Sequence, residues 1–306
     1  MAVSGGGRAA AWLLAARPKT LWAAVAPVLM GSAIAWREEG FHAGAALAAL
    51  VCALLIQVGT NLANDYFDAR RGADTGARLG PRRGLHSGQI SARQVRTAFL
   101  LCFGLAVLLG AYLLARGGWP ILIIGLGSVA LGVLYTGGPA PLAYVGLGDL
   151  FAFLCFGPVA VAGTTYVQSL IWSPMALWAG VAAGCFSVAL LAVNNFRDTR
   201  EDRSTGKGTL AVRLGPGFVR LEFRLALLGA ALIPLGLVTW AKAPLLLVAP
   251  SLLVLALYPV LWRALPAEPG AERGFGEAMN GLLGLVGRLE LFYALLFSAA
   301  CVGLLS

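Results

Sequence analysis

Polar residues along this chain come in bursts between long apolar runs. Nine runs approach the roughly 20 residues that a helix needs to cross the hydrocarbon core of a bilayer. They lie at about 18–36, 43–65, 96–115, 119–135, 146–168, 174–196, 222–240, 244–262 and 286–305. The pattern predicts an all-α membrane protein of nine transmembrane helices. The third and fourth runs nearly touch, as do the seventh and eighth, so each pair is expected to be a tight helical hairpin. The first run is followed by more of the same and reads as a retained helix rather than a cleaved leader.

The basic residues are shared unevenly between the two sides that nine spans define. Arg37, Arg116 and Lys242 fall on one side, and the other 20 of the 23 Lys and Arg fall on the opposite side. By the positive-inside rule the rich side is cytoplasmic, which puts the N-terminus in the cytoplasm and the C-terminus outside. Composition agrees. Of the 306 residues 59% are hydrophobic and 12% charged, against about 25% charged in soluble domains, and the mean hydropathy is +0.80. A single membrane domain over 1–306 is expected. The net charge of +9 sits in loops between apolar runs and reads as orientation in a lipid bilayer, not as a nucleic-acid footprint. The five cysteines lie singly in apolar runs and read as packing residues. His42 and His86 lie in loops and are not taken as ligands.

Two polar stretches interrupt this picture. NLANDYFDARRGAD, 61–74, ends the second run, and NNFRDTREDRSTGKGTLAVRLG, 194–215, ends the sixth. Both lie on the same side and both put Asn before Asp: Asn64, Asp65, Asp68 and Asp74 in one, Asn194, Asn195, Asp198 and Asp202 in the other. They read as a weak internal repeat, with one acidic cluster per half. Asn61 and Asp65, Asn64 and Asp68, Asn194 and Asp198, and Asp198 and Asp202 are each four apart, so on helices they stack in stripes. Carboxylates so spaced repel unless a cation sits between them. Mg2+ suits such oxygens and typically takes one or two carboxylates together with substrate phosphates. Two stripes facing each other across a cavity are expected to hold Mg2+ ions that clamp a diphosphate. The competing reading is that the aspartates cap helix ends or pair with nearby arginines; capping is disfavoured because aspartate at a helix C-terminus opposes the macrodipole.

Basic candidates for the diphosphate are Arg82, Arg83, Lys207 and Arg213, with Lys207 in GKG and Arg83 in RRG favoured because flanking glycine lets backbone approach a ligand. Lys19, in RPKT, either orients a substrate carboxylate or snorkels to the interface. Asp149 enters the fifth span, where it either caps the helix or touches substrate. Intramembrane charges and internal repeats also occur in transporters. Those bind near the bilayer midplane, whereas here both clusters lie at span ends and the opposite half of the membrane has almost no polar residues.

NDYFDARRGAD and NNFRDTREDRSTGKGTL resemble the two signature motifs of the UbiA superfamily of intramembrane prenyltransferases. RPKTL, NLANDYFD, GPRRGLHSGQI, YTGGP, GLGDL and NNFRDTREDRSTGKGTLAVRLG together resemble its 1,4-dihydroxy-2-naphthoate branch, the MenA type. The dense matches run from about residue 11 to 215. Members that act on 4-hydroxybenzoate usually read NDxxDxxxD; here the last position is Gly72 and the aspartate comes at Asp74, the form of the naphthoate branch. The resemblance implies nine helices around a central cavity, capped by cytoplasmic loops at about 66–95 and 197–221. It implies transfer of a polyprenyl group from polyprenyl diphosphate to 1,4-dihydroxy-2-naphthoate, giving demethylmenaquinone, CO2 and diphosphate, at the cytoplasmic face of a bacterial inner membrane. It implies Mg2+ on Asp65, Asp68, Asp74, Asp198 and Asp202, of which Asp65, Asp68, Asp198 and Asp202 are the catalytic candidates. Asn64, Asn194, Asn195, Lys207, Arg83, Lys19, Asp149 and Tyr135 are the candidates for substrate contact. No Glu or His stands out as a general base. A 1,4-dihydroxy-6-naphthoate acceptor would use the same metals and is not separated from the 2-naphthoate by any residue.

Overall fold

The computed structural model describes residues 7–72, 79, 80, 85, 88–241 and 243–303, and these contain helices and turns without strands. In chain order the helices are α1 (Arg8–Ala16), α2 (Trp22–Arg37), α3 (Ala43–Arg70), α4 (Ala92–Gly117), α5 (Trp119–Leu134), α6 (Gly148–Leu154), α7 (Ala160–Ser169), α8 (Pro174–Ser204), α9 (Leu210–Trp240), α10 (Val248–Arg263) and α11 (Arg273–Val302).

Seven helical units are long and apolar enough to cross a bilayer: α3, α4, the α6–α7 unit, α8, α9, the unit containing α10, and α11. The α1 and α2 segments, bent by 45° at their junction, make an eighth if counted as one span, and α5 is apolar but short, at 16 residues. This is the helix set of an integral membrane protein.

Local chemistry explains most boundaries. The side chain of His42 accepts from the Ala45 N–H at the start of α3. Ser91 and Gln94 form a reciprocal capping box on α4. Ser173, with Pro174 behind it, caps α8, and Thr209 caps α9. Gly118, at φ 68°, turns α4 into α5.

Three boundaries depart from the hydropathy pattern. Helix α1 precedes the first apolar run, and the break after it falls at Arg17, a left-handed residue at φ 51°. The stretch 197–221, read above as a loop, is mostly helix: α8 runs on to Ser204 and α9 starts at Leu210, leaving a five-residue turn. The helix thus continues past the apolar run, because its polar end is buried against the rest of the bundle rather than released into solvent. Likewise α11 starts at Arg273, well ahead of the last apolar run.

The main core lies among α2, α7, α8, α9, α10 and α11, with Phe186 of α8 edge-on to Tyr293 of α11. A second cluster joins α1, α3 and α4, and a third joins α3, α4, α5 and α7. The α6–α7 unit breaks at Gly157 and Pro158, and glycines on α8 let it pack there backbone to backbone. A Cβ on Gly180 would lie 2.5 Å from the Pro158 Cα and 2.8 Å from its N. Neither atom can move aside as a side chain would. Gly180→Leu is therefore expected to destabilise the bundle by at least the ~1–3 kcal/mol of an overpacked core. A melting temperature in detergent equal to that of the parent chain would refute this.

Candidate active site

The long helices α3 and α8 carry the two acidic stripes to one end of a shared cavity of about 760 Å3. The helical period decides which groups face it. Asn64 and Asp68 on α3 line the cavity, as do Asn194, Asn195, Asp198 and Asp202 on α8. The stripes Asn64–Asp68 and Asn194–Asp198–Asp202 therefore both line the cavity, whereas of the Asn61–Asp65 pair only Asn61 does. Asp65, next to Asn64 in the chain and so about 100° round the helix from it, is not among the lining residues; it is buried and paired with Arg17. Asp74 and Arg83, with Arg82 and His86, lie outside the described residues.

Lys207 joins the two halves. Its Nζ lies 3.9 Å from an Asp68 oxygen and 3.9 Å from an Asp202 oxygen. The turn after α8 brings it there. Gly206 takes φ 72°, and the Lys207 N–H donates back to the Asp202 carbonyl at 2.8 Å. Gly208 donates to the Tyr144 carbonyl at 3.1 Å, and a Cβ on it would meet that oxygen at 2.7 Å. The glycines around Lys207 thus serve the turn and its approach to the α5–α6 loop. Tyr144 from that loop donates its hydroxyl to Asp68 at 3.0 Å, and Lys207 lies 5.7 Å from its ring centre.

Asp198 is held differently. The Arg197 guanidinium donates to both its oxygens, each at 2.7 Å, and also to Asn194 and to Asn280 of α11, again at 2.7 Å. Arg197 is 2% exposed. Asp65, Asp68, Asp198 and Asp202 therefore each have a cation from this chain against them: Arg17 at Asp65, Arg197 at Asp198, and Lys207 at both Asp68 and Asp202.

The other candidates fall as follows. Tyr135 lines the cavity, and Thr136 beside it donates to Asn64 at 2.9 Å. Lys19 lines the cavity edge and is exposed. Asp149 sits in the first turn of α6 without acting as a side-chain cap; it is buried and accepts from Asn195 at 3.5 Å. Arg213 does not line the cavity; it is exposed and donates to the Gly208 carbonyl at 2.8 Å. Arg17, Tyr144, Thr136, Arg197 and Asn280 are site residues that the sequence reading passed over. Arg197 stands inside the NNFRD stretch and Arg17 opens RPKT, but nothing in the sequence pairs them with particular aspartates.

Among the described residues no three His, Cys, Asp or Glu side chains are grouped as a ready-made metal site. The donor set nevertheless fits Mg2+ of the kind that takes one or two carboxylates and completes its shell with water and phosphate oxygens. Asp68 and Asp202 already share one cation, the Lys207 ammonium, with carboxamide oxygens of Asn64 and Asn194 on the same wall.

Away from this end the cavity is apolar, lined by α2, α3, α4, α5 and the α6–α7 unit. A site with acidic and basic groups at one end of a long apolar chamber suits a substrate with an ionic head and a hydrocarbon tail.

Comparison with known proteins agrees. Residues 24–280 match the model of the UbiA prenyltransferase family. A 1,4-dihydroxy-2-naphthoate octaprenyltransferase of Escherichia coli is 38% identical over 229 residues, covering 73% of this chain and 74% of that one. One of Mycobacterium tuberculosis is 41% identical over 219 residues, covering 70% and 73%. The structure of a UbiA homologue from Archaeoglobus fulgidus bound to GPP and Mg2+ superposes with a TM-score of 0.66 at 16% identity, covering 96% of this chain and 99% of that one.

Proposed function

The chain belongs to the UbiA prenyltransferase family, and we propose that within it the protein transfers a polyprenyl group from polyprenyl diphosphate to 1,4-dihydroxy-2-naphthoate. The proposed setting is nine spans in a bacterial cytoplasmic membrane, α5 and the α1–α2 pair each counting as one. The N-terminus lies inside, the C-terminus outside, and the acidic end of the cavity faces the cytoplasm beneath a cap drawn from about 66–95 and 197–221. The observation that carries the reading is the cavity itself. It is apolar along its length and lined at one end by Asp68, Asp202 and Lys207 from the two halves of the chain.

In this reading Asp68 and Asp202, with Asn64, Asn194 and the flanking Asp198, hold Mg2+; Asp65 and Asp74 are the remaining candidates. When bound, the metal supplies positive charge to the departing diphosphate oxygens. Lys207 adds a fixed ammonium at the same place, and Arg83 a second charge from the cap. The apolar wall of α3, α4 and α5 receives the prenyl chain and keeps water from the allylic carbon as its C–O bond to diphosphate breaks. The electron-rich acceptor ring supplies the electron pair for the new C–C bond at the carbon that bears its carboxylate. That carboxylate leaves as CO2, giving the quinol form of demethylmenaquinone. Tyr135, Asn195 and Lys19, which line the cavity, are the candidates for contact with the acceptor or its carboxylate, and Asp149, which does not line it, is a candidate through Asn195.

The test is prenyl transfer by the purified protein in detergent with Mg2+, octaprenyl diphosphate and either 1,4-dihydroxy-2-naphthoate or 4-hydroxybenzoate. Product and CO2 are expected with the naphthoate alone, and EDTA is expected to abolish both. Turnover of 4-hydroxybenzoate, or of 1,4-dihydroxy-6-naphthoate in preference, would move the acceptor assignment. Absence of any Mg2+-dependent diphosphate release would overturn the reading.

A further inference from the structure

At the end of the α9–α10 pair nearest Lys207, three arginines gather round one tryptophan. Arg224 of α9 lies over the Trp262 ring of α10, its guanidinium carbon 4.1 Å from the ring centre, and that of Arg263 lies 5.8 Å from the same centre. Arg220 stands one turn before Arg224 on the same face of α9. Its Nε is buried and has no hydrogen-bond partner among the described residues. None of the three arginines forms an ion pair among those residues. Glu222, between two of them in sequence, lies about 200° round α9, on the side toward Asp149. Guanidiniums so gathered repel one another, and the orphaned Nε–H carries a desolvation cost. An anion relieves both. The place is distinct from the cavity, which none of Arg220, Arg224, Trp262 and Arg263 lines. The surface beside it is apolar. Leu225 and Leu232 flank Arg224 on α9 and are exposed, and Leu252 and Leu255 are exposed on the face of α10 that carries Trp262. Tryptophan and arginine at the end of a span mark the level of lipid head groups.

We propose that this cluster binds one phospholipid with an anionic head group, its phosphate held by Arg220, Arg224 and Arg263 and its acyl chains lying along the leucines of α9 and α10. Guanidinium suits the task. Its planar fork donates two parallel hydrogen bonds to a phosphate, and stacking on an indole fixes its plane while leaving the N–H edge free. Basic pockets between spans are a general form of anionic-lipid site. Membrane orientation accounts for positive charge here but not for this arrangement, since lysine satisfies the positive-inside rule equally and no stack is needed. The site lies beyond the prenyl-transfer reading and does not depend on it, because the bilayer itself supplies the ligand. A lipid that bridges α9 to α10 in the folded chain stabilises that fold. Inorganic phosphate carries the same anionic chemistry without acyl chains, and the test separates the two.

The test measures the melting temperature of the full chain in neutral detergent with dioleoyl phosphatidylglycerol, dioleoyl phosphatidylcholine or inorganic phosphate. It compares the parent with Arg224→Lys, Arg263→Gln and the two combined. A ligand at about 100 times its Kd raises the melting temperature of a chain this size by about 5 °C. A rise of that order is expected for the parent in phosphatidylglycerol over phosphatidylcholine, with little from inorganic phosphate. In phosphatidylcholine the variants are expected to melt like the parent, because Arg263 is exposed and lysine keeps the charge at 224. In phosphatidylglycerol Arg224→Lys is expected to lose more than half of the rise and the double variant nearly all of it. Native mass spectrometry counts the lipid: the parent should retain a phosphatidylglycerol that the double variant loses. Equal rises with the two lipids, or a full rise in the double variant, would overturn the proposal. A rise as large with inorganic phosphate would make this a site for a free anion and remove the lipid. Should a variant melt well below the parent in phosphatidylcholine, the retained lipid decides, and retention equal to the parent's refutes the site.

Discussion

Asp202→Ala is expected to lower prenyl transfer about 10³-fold while leaving the chain folded, and Asp68→Ala is expected to do the same. Each contributes a carboxylate to the head end of the cavity, one from each half. Removing a single group that stabilises developing charge typically lowers turnover by about 10²–10³. The fold should tolerate either change, because Lys207 sits 3.9 Å from both carboxylates and keeps one neighbour when the other is lost. Asp65→Ala provides the contrast. Asp65 does not line the cavity and is paired with Arg17, so its loss is expected to fall mainly on stability. Initial rates paired with melting temperatures separate the two behaviours. Asp202→Ala and Asp68→Ala should also raise the Mg2+ concentration needed for half-maximal rate. A variant at Asp202 with near-parental turnover would remove that residue from the metal set.

The second large effect belongs to Arg197. It is 2% exposed, it grips both oxygens of Asp198, and it also holds Asn194 and Asn280. Arg197→Leu leaves a buried carboxylate without its guanidinium. Breaking such a pair from one side costs about 3–5 kcal/mol, whereas replacing both members with apolar groups is often close to neutral. Arg197→Leu is thus expected to melt far below the parent, and Arg197→Leu with Asp198→Leu is expected to recover more than half of the loss. Both should be inactive, so stability and turnover part company in the double variant. Equal stability of the single and double variants would show that the Asp198 carboxylate left without its guanidinium is not the source of the loss. Arg197→Lys should fall between, since an ammonium cannot grip both oxygens in a plane.

Much of this was legible in the residues, for a physical reason. Crossing a bilayer demands long apolar runs, so hydropathy alone located the centres of the helices. It missed their polar ends. RDTREDRS carries no apolar signal, yet α8 continues through it, because Asp198, Asp202 and Arg197 are buried against neighbouring elements that the run itself does not display. RGFGEAMNGLLGLVG reads as a glycine-rich loop and is the first half of α11, where Asn280 reaches Arg197. The spacing of four within each stripe correctly placed Asn64 with Asp68 and Asn194 with Asp198 and Asp202 on cavity-facing surfaces. It could not place Asp65, since one residue of rotation separates a lining group from a buried one. The cations were harder still. Loop arginines are expected on the cytoplasmic side whether or not they touch an aspartate, so orientation masks the roles of Arg17 and Arg197. Tyr144 came from a loop with no charge at all.

The pairing of Lys207 with Asp68 also bears on how the protein is made. Asp68 lies near the end of α3, just past the second apolar run, and Lys207 follows about 140 residues later. At about 5–20 residues per second, the ribosome delivers the lysine roughly 7–30 s after the aspartate. For that interval the first half of the bundle sits in the lipid without the cation that later bridges it to α8. The catalytic end thus stays incomplete until well into the second half of the chain, and a chain arrested before Gly206 would have all of α3 and most of its cavity wall but no finished head group.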